Sequence, residues 1–188
     1  MKSALLALAC VLALAATVAC ADPDEFAEFD ADDTSTLSEC MAEQFPFEAN
    51  FFAARTRNDR TGIFLQTEPD VKSRSDIVYF EIYDPENLPL GEPIEFGEAS
   101  VPPPPARGKM VFFSSCPYQT DSLELRGSLQ FDSFDTDAHG VISGQLVDAS
   151  VVDDRSDEVR IEEFTGAWEF VVRKGPPHED FYALPERP

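Results

Sequence analysis

Apolar and polar residues alternate along most of this 188-residue chain, in short runs that end at turn-forming residues. Alternation with a period of two places every second side chain on the same face of a β-strand. The apolar members of the clearest runs are Phe45, Phe47, Ala49, Phe51 and Ala53, and Val78, Phe80 and Ile82. Only residues 36–44 suggest a helix. We therefore predict an all-β fold, either a single antiparallel β-sandwich or a partly curled β-barrel, with one short N-terminal helix.

Three glycines in the C-terminal half, Gly127, Gly144 and Gly166, each have an apolar residue two positions away on both sides. Glycine is unfavourable inside a strand unless it permits a bend or the close approach of a bulky neighbour. These glycines would let a sheet curl around large side chains such as Trp168. The curl could enclose a ligand cavity, but small barrels and sandwiches usually fill their own interior. We expect a packed aromatic core.

The first twenty residues have the composition of an export signal. Lys2 precedes an apolar run over residues 4–18, in which Thr17 is the one polar residue, and small residues follow it. The run is shorter than the roughly 20 residues that a helix needs to cross a bilayer. One basic residue, an apolar centre and small residues at the end are typical of a secretory signal peptide. We assign residues 1–19 to this signal.

Residues 17–20, Thr-Val-Ala-Cys, resemble the lipobox of bacterial lipoproteins, in which leucine is usual where Thr17 stands. The resemblance implies that Cys20 becomes the first residue and carries a diacylglyceryl group, so that membrane lipid is a partner. An alternative is ordinary cleavage after Ala21, which would release a soluble protein beginning at Asp22. The acidic, β-rich part that follows is similar to lipoproteins of unknown function.

The lipobox resemblance implies a location outside the cytoplasm, on the periplasmic side or at the cell surface. Some bacteria retain lipoproteins in the inner membrane through an aspartate after the lipidated cysteine. Here Ala21 stands at that position. We therefore expect an anchor in the outer membrane.

The chain has four cysteines, and two of them, Cys10 and Cys20, lie within or at the end of the predicted signal. Cys10 lies in the segment that signal cleavage removes, and the lipobox resemblance implies that the thiol of Cys20 is lipidated. Cys40 and Cys116 then remain as an even pair in an oxidising compartment, where cysteines are usually bridged rather than left as buried thiols. We predict a disulfide between them.

Acidic residues dominate the composition, with 36 Asp and Glu against 14 Lys and Arg, a formal net charge of −22. Nucleic-acid binding depends on basic side chains that neutralise phosphates, so this charge argues against a nucleic-acid partner. Residues 22–33 contain seven acids and no base, a composition typical of a solvated tether. The expected organisation is a signal over 1–19, a lipidated cysteine and flexible tether over 20–36, and one β-rich domain over 37–188.

Asp132, Asp135, Asp137 and His139 crowd between two predicted strands. Ca²⁺ prefers several oxygen ligands, which a turn can bring together. The spacing departs from the EF-hand pattern, however, and the string ends in Gly140, as a solvated hairpin turn does. We interpret the segment as a turn and expect no cofactor, with these four residues as weak Ca²⁺ candidates.

Signatures of catalysis are weak, because the chain has two histidines, His139 and His178, and no Gly-x-Ser-x-Gly nucleophile elbow. We expect no catalytic residue and predict a lipid-anchored, extracytoplasmic, non-catalytic module that binds an envelope protein or a ligand. One alternative is a soluble secreted or periplasmic ligand carrier, and another is a hydrolase with an unlocated carboxylate pair. The tail to Pro188 is expected to fold back through Phe181 and Tyr182.

Overall fold

The computed structural model describes residues 25–68, 75–97, 104–116 and 123–178. Within these residues the chain forms eleven β-strands and one short α-helix, which confirms the all-β prediction. The elements are β1 (Phe26–Ala31), α1 (Glu39–Ala42), β2 (Phe47–Glu48), β3 (Phe51–Arg57), β4 (Arg60–Gln66), β5 (Asp76–Tyr83), β6 (Pro93–Phe96), β7 (Ala106–Phe112), β8 (Leu123–Phe134), β9 (Val141–Asp153), β10 (Val159–Ile161) and β11 (Phe164–Val171).

The described strands belong to one curled sheet with the order β2-β1-β11-β9-β8-β6-β7-β5-β4-β3, and β10 pairs with β9. Neighbours run antiparallel, except that β6 and β7 pair in parallel. The two outermost strands, β2 and β3, are consecutive in the chain. Between them the Ala49 N–H donates to Ala27 in β1, and the Asn50 N–H donates to Gln66 in β4. The sheet has therefore curled far enough for one dipeptide to reach both of its edges.

Aromatic side chains fill the inside of the curl. Trp168 in β11 is 1% exposed, and its ring lies 5.0 Å from that of Phe80, 5.7 Å from Phe131 and 6.1 Å from Phe29, between centroids. These residues come from β11, β5, β8 and β1, so the contacts join distant parts of the sheet. Each fully buried aromatic side chain stabilises the fold by about 2–3 kcal/mol through the hydrophobic effect.

Two of the three predicted glycines make room for these rings. A Cβ atom at Gly166 would lie 2.2 Å from a ring carbon of Phe29, and one at Gly144 would lie 2.8 Å from a ring carbon of Trp168. The third, Gly127, adopts a φ of 129°, a conformation that other residues rarely adopt. Within the described part of the chain, aromatic rings occupy the space beside Gly144 and Gly166, whereas backbone atoms of Asp148 and Ala149 lie beside Gly127. The prediction of a packed aromatic core is confirmed there.

The predicted tether is wrong for its second half, because residues 26–31 form β1 and pair with β11 in full register. Ala27 and Phe29 point into the core, and Phe29 is 0% exposed. Glu28 and Asp30 alternate with them and face water. The acidic composition of this segment hid the alternation of an amphipathic strand, so the folded domain includes β1 and does not begin at residue 37.

The predicted disulfide is present and links α1 to the segment that follows β7. Cys40 and Cys116 lie 76 positions apart in the chain, with their Cα atoms at 5.7 Å. Closing a loop of this length removes entropy from the unfolded chain and stabilises the fold by about 4 kcal/mol in the chain-entropy model. The short helix, expected around residues 36–44, is thereby held against the core through Met41, which is buried.

Replacement of Gly166 by alanine tests the packing inside the curl. The added methyl group would overlap the Phe29 ring, so we expect Gly166→Ala to lower the free energy of unfolding by about 1–3 kcal/mol. Thr165→Ala is the matched control, since this neighbour in β11 is exposed. Urea denaturation of both variants measures the difference, and equal stability of the two would contradict the tight contact between Gly166 and Phe29.

Candidate functional site

Four neighbouring strands, β3, β4, β5 and β7, present a second surface on the side away from the aromatic core, which we call the outer face. Side chains of residues paired across adjacent strands point to the same side. The register therefore defines rows on this face. The rows are Phe51, Gln66, Ile77 and Val111; Ala53, Phe64, Tyr79 and Lys109; Arg55, Gly62, Glu81 and Arg107; and Arg57, Arg60 and Tyr83.

One half of the outer face is apolar. It holds a cluster separate from the main core, which we call the outer apolar cluster: Phe51, Ala53, Phe64, Ile77, Tyr79 and Val111. The rings of Phe64 and Tyr79 lie 4.8 Å apart between centroids. The imidazole of His178 stacks on Phe51 at 4.7 Å, and its Nδ1 lies 3.0 Å from the carbonyl oxygen of Phe52. The end of the described chain thus reaches this face.

The other half of the outer face is basic. Its rows carry five cationic residues, which we call the basic patch: Arg55, Arg57, Arg60, Arg107 and Lys109. Glu81 is the one acid in these rows, and two acids beside them form ion pairs with the patch: Asp59 lies 4.0 Å from Arg60, and Asp154 lies 4.0 Å from Lys109. The patch holds five of the 14 Lys and Arg in a chain whose net charge is −22. Five cations against Glu81, Asp59 and Asp154 leave a positive sum, opposite in sign to the charge of the whole molecule.

Tyr83 and Glu81 organise the middle of the basic patch. The Tyr83 hydroxyl donates a hydrogen bond of 2.8 Å to Glu81, and a guanidinium nitrogen of Arg60 lies 3.4 Å from the same carboxylate. The Arg60 guanidinium also lies over the Tyr83 ring at 4.9 Å, and that of Arg107 lies 5.9 Å from it. These cation–π contacts hold both guanidinium groups against the sheet.

The environment of this site keeps its two phenols protonated. Burial, assisted by the hydrogen bond to Glu81, raises the pKa of Tyr83 to about 12. Burial also raises the pKa of Tyr79 above its ordinary value of 10. Both phenols are therefore neutral at physiological pH, and neither is activated as a nucleophile. Arginine side chains on an aromatic surface provide forked N–H donors that match carboxylate and phosphate oxygens.

Apart from the outer face, a cleft of about 220 Å³ lies beside α1. Its polar wall is made by Asp153 and Arg160, whose side chains bond each other at 3.2 Å. The Asp153 carboxylate also accepts the backbone N–H groups of Arg155 and Ser156, contacts that lower its pKa together with Arg160. These groups satisfy one another, so we interpret this cleft as structural.

The Ca²⁺ candidates lie in and beside the β8–β9 hairpin, and residues 135–140 connect its two strands. Asp132 belongs to β8, and its carboxylate accepts a hydrogen bond from the side-chain amide of Gln130. The Asp135 carboxylate accepts a hydrogen bond of 2.9 Å from the backbone N–H of Asp137. His139 has a φ of 70° and donates its backbone N–H to Val172. Among the residues that the structure describes, no three His, Cys, Asp or Glu side chains come together as a metal site.

The outer face is the feature that the sequence interpretation missed. Alternation places Arg55 and Arg57 on the same side of β3 as Phe51 and Ala53, so the part of the outer face that β3 contributes could be predicted from the sequence. Residues from β4, β5 and β7 join them only through the pairing register, which the sequence does not state. Cys20, Phe181 and Tyr182 lie outside the described residues.

Comparisons with known proteins identify no relative. No family model, curated protein or solved structure matches this chain. A search of the described residues for membrane-spanning helices finds none that is long and apolar enough.

The raised pKa of Tyr83 predicts a loss of stability in alkali. Between pH 10 and 12 the unfolded chain releases this phenolic proton while the folded chain retains it, so the free energy of unfolding falls as the pH rises. Below pH 10 both states are protonated and the contribution is complete. We expect Tyr83→Phe to show a shallower decline than the parent chain in urea denaturation from pH 9 to 11.5. Parallel declines would contradict the assigned pKa.

Proposed function

We propose that this protein is an exported, lipid-anchored, non-catalytic module that binds an anionic ligand through the basic patch of the outer face. The observation that carries the proposal is the concentration of Arg55, Arg57, Arg60, Arg107 and Lys109 on one surface of a strongly acidic chain. Clustering like charges costs electrostatic energy, which the ion pairs of Arg60 with Glu81 and Asp59 and of Lys109 with Asp154 offset in part. An anion with carboxylate or phosphate groups offsets that repulsion when it binds.

Export is supported by the composition of residues 1–19 and by the disulfide between Cys40 and Cys116. Disulfides persist in oxidising compartments outside the cytoplasm. The proposed partner is accordingly a molecule of the envelope or of the cell exterior, and Ala21 after the lipidated cysteine favours the outer membrane.

The anchor, if attached at Cys20, holds the domain close to the bilayer. Glu25 accepts hydrogen bonds from the backbone N–H of Val171 at 2.8 Å and from the Arg173 guanidinium at 2.6 Å. The chain is therefore fixed to the fold from Glu25 onward. Five residue steps separate this point from Cys20, and they span at most about 18 Å. The start of β1, including the exposed ring of Phe26, then lies next to the membrane surface.

The soluble-carrier alternative would need a ligand cavity inside the curl. In the described residues, Phe29, Phe80 and Phe131 pack against Trp168 there. The outer face is for this reason the better-supported binding surface.

Anchoring is tested by Cys20→Ser in a bacterial host, with Cys10→Ser as the matched control. Without the Cys20 thiol there is no acceptor for the diacylglyceryl group, so the protein should move from the membrane fraction to the soluble fraction. Cys10 lies in the removed signal, and its replacement should leave the protein on the membrane. A soluble parent protein that mass spectrometry shows to begin at Asp22 would overturn the lipid anchor.

Ligand binding is tested by Arg57→Glu, with Lys174→Glu as a control of equal net charge. Arg57 lies at the exposed end of the basic patch, whereas Lys174 lies off the outer face and bonds Thr136. We expect Arg57→Glu to weaken binding of fluorescent poly-L-glutamate or polyphosphate about fivefold, since one charged contact contributes about 1 kcal/mol. Anisotropy titrations measure both variants, and the preferred polymer separates a carboxylate from a phosphate ligand. Equal weakening by both variants would overturn the assignment of the site.

A further inference from the structure

The side chain of Arg107 in β7 has an N–H group without an acceptor in the described part of the protein. Its Nε atom is buried and makes no hydrogen bond. The guanidinium group lies 5.9 Å from the centre of the Tyr83 ring, and it forms no ion pair with any described residue. A buried donor without an acceptor costs free energy, and more so when the group is charged. Arg107 as a whole is half-buried, so a ligand can reach it and supply the acceptor.

Glu81 is the acid that the pairing register places opposite Arg107. Directly paired residues have Cβ atoms about 5 Å apart, so opposite charges in such positions ordinarily attract each other. Here both oxygens of the Glu81 carboxylate are engaged elsewhere. The Tyr83 hydroxyl donates a hydrogen bond of 2.8 Å to Oε2, and a nitrogen of Arg60 lies 3.4 Å from Oε1. These two contacts account for the missing ion pair between Glu81 and Arg107.

The other charged side chains beside Arg107 have partners of their own. Glu81 pairs with Arg60, and Lys109, two positions along β7 on the same face, pairs with Asp154 at 4.0 Å. The uncompensated group at this end of the basic patch is therefore one guanidinium. Its single charge matches a carboxylate better than a phosphate monoester, whose charge is about −1.5 to −2 at neutral pH. The forked donors of arginine also fit the two oxygens of a carboxylate.

We propose that Arg107 binds a carboxylate group of the ligand, and that Tyr83 is a positioning residue whose hydroxyl keeps Glu81 from pairing with Arg107. This inference rests on the proposed function, since it assigns the chemical class of the ligand and its main contact within the same basic patch. The Tyr83 ring holds the guanidinium group against the sheet before the ligand arrives, so little side-chain entropy is lost on binding. Arg107 is thus both fixed in place and kept available.

The contact is tested by Arg107→Gln, with Arg57→Gln as a control of equal charge change at the exposed end of the patch. We expect Arg107→Gln to weaken binding of fluorescent poly-L-glutamate about tenfold and Arg57→Gln about twofold. Anisotropy titrations measure both variants. Equal weakening by the two would overturn the assignment of Arg107. Polyphosphate should lose less affinity than poly-L-glutamate in Arg107→Gln, and an equal loss would overturn the carboxylate class.

The positioning role is tested by Tyr83→Phe, which keeps the ring and removes the hydroxyl. Oε2 of Glu81 is then free to pair with Arg107, so the affinity for poly-L-glutamate should fall about fivefold. In a Glu81→Gln background the same change should have no effect, because the amide carries no charge that competes with the ligand. General damage to the surface would weaken binding in both backgrounds. That result, or an unchanged affinity in Tyr83→Phe, would overturn the role of Tyr83.

A measurement without ligand separates this inference from the proposed function. Phenylglyoxal modifies guanidinium groups, and pairing with a carboxylate slows the reaction. Peptide mass spectrometry should show Arg107 modified about threefold more slowly in Tyr83→Phe than in the parent chain. Equal rates would overturn the control of Arg107 by Tyr83 and Glu81. If the parent binds neither poly-L-glutamate nor polyphosphate, the proposed function fails and the ligand contact with it, whereas slower modification would still support the role of Tyr83.

Discussion

The contact of Trp168 with Phe29 and Phe80 across the inside of the sheet is the constraint on which the architecture depends. These rings come from β11, β1 and β5, and they approach closely because Gly166 and Gly144 have no side chain where Phe29 and Trp168 lie. A bulkier residue at either position would hold the strands apart. The same contact requires the sheet to curl, which brings β2 and β3 to the point where a dipeptide joins both edges.

The curl also creates the outer face, because a sheet closed around one set of side chains turns the alternate set outward. In β3, β4, β5 and β7 that outward set is unusual. It combines an apolar cluster with a basic patch, in a molecule whose charge is otherwise strongly negative. Exposure of apolar side chains to water and the close approach of like charges both cost free energy on such a surface. The proposed binding role rests on this combination.

The strand content, the helix near residue 40 and the disulfide were all predictable, because each depends on local alternation or on the number of cysteines. Other features were not. The run from Phe45 to Ala53 is interrupted where the chain changes partners, so one predicted strand is in fact β2 and β3. The tether prediction failed for Phe29, because averaging over twelve residues hid the alternation of apolar and acidic positions. The basic patch escaped detection because its members are spread over more than fifty positions of the chain.

The sequence by itself determined the class of fold and the pair of cysteines that bridges, since alternation acts locally and cysteine number acts by counting. Only the tertiary structure decided which strands pair, where the domain begins and which charges share a surface. The physical reason is that pairing register depends on contacts between residues far apart in the chain. A shift of one residue in β4 or β5 would move Arg60 and Tyr83 to the opposite face. The composition would be unchanged, and the site would be lost.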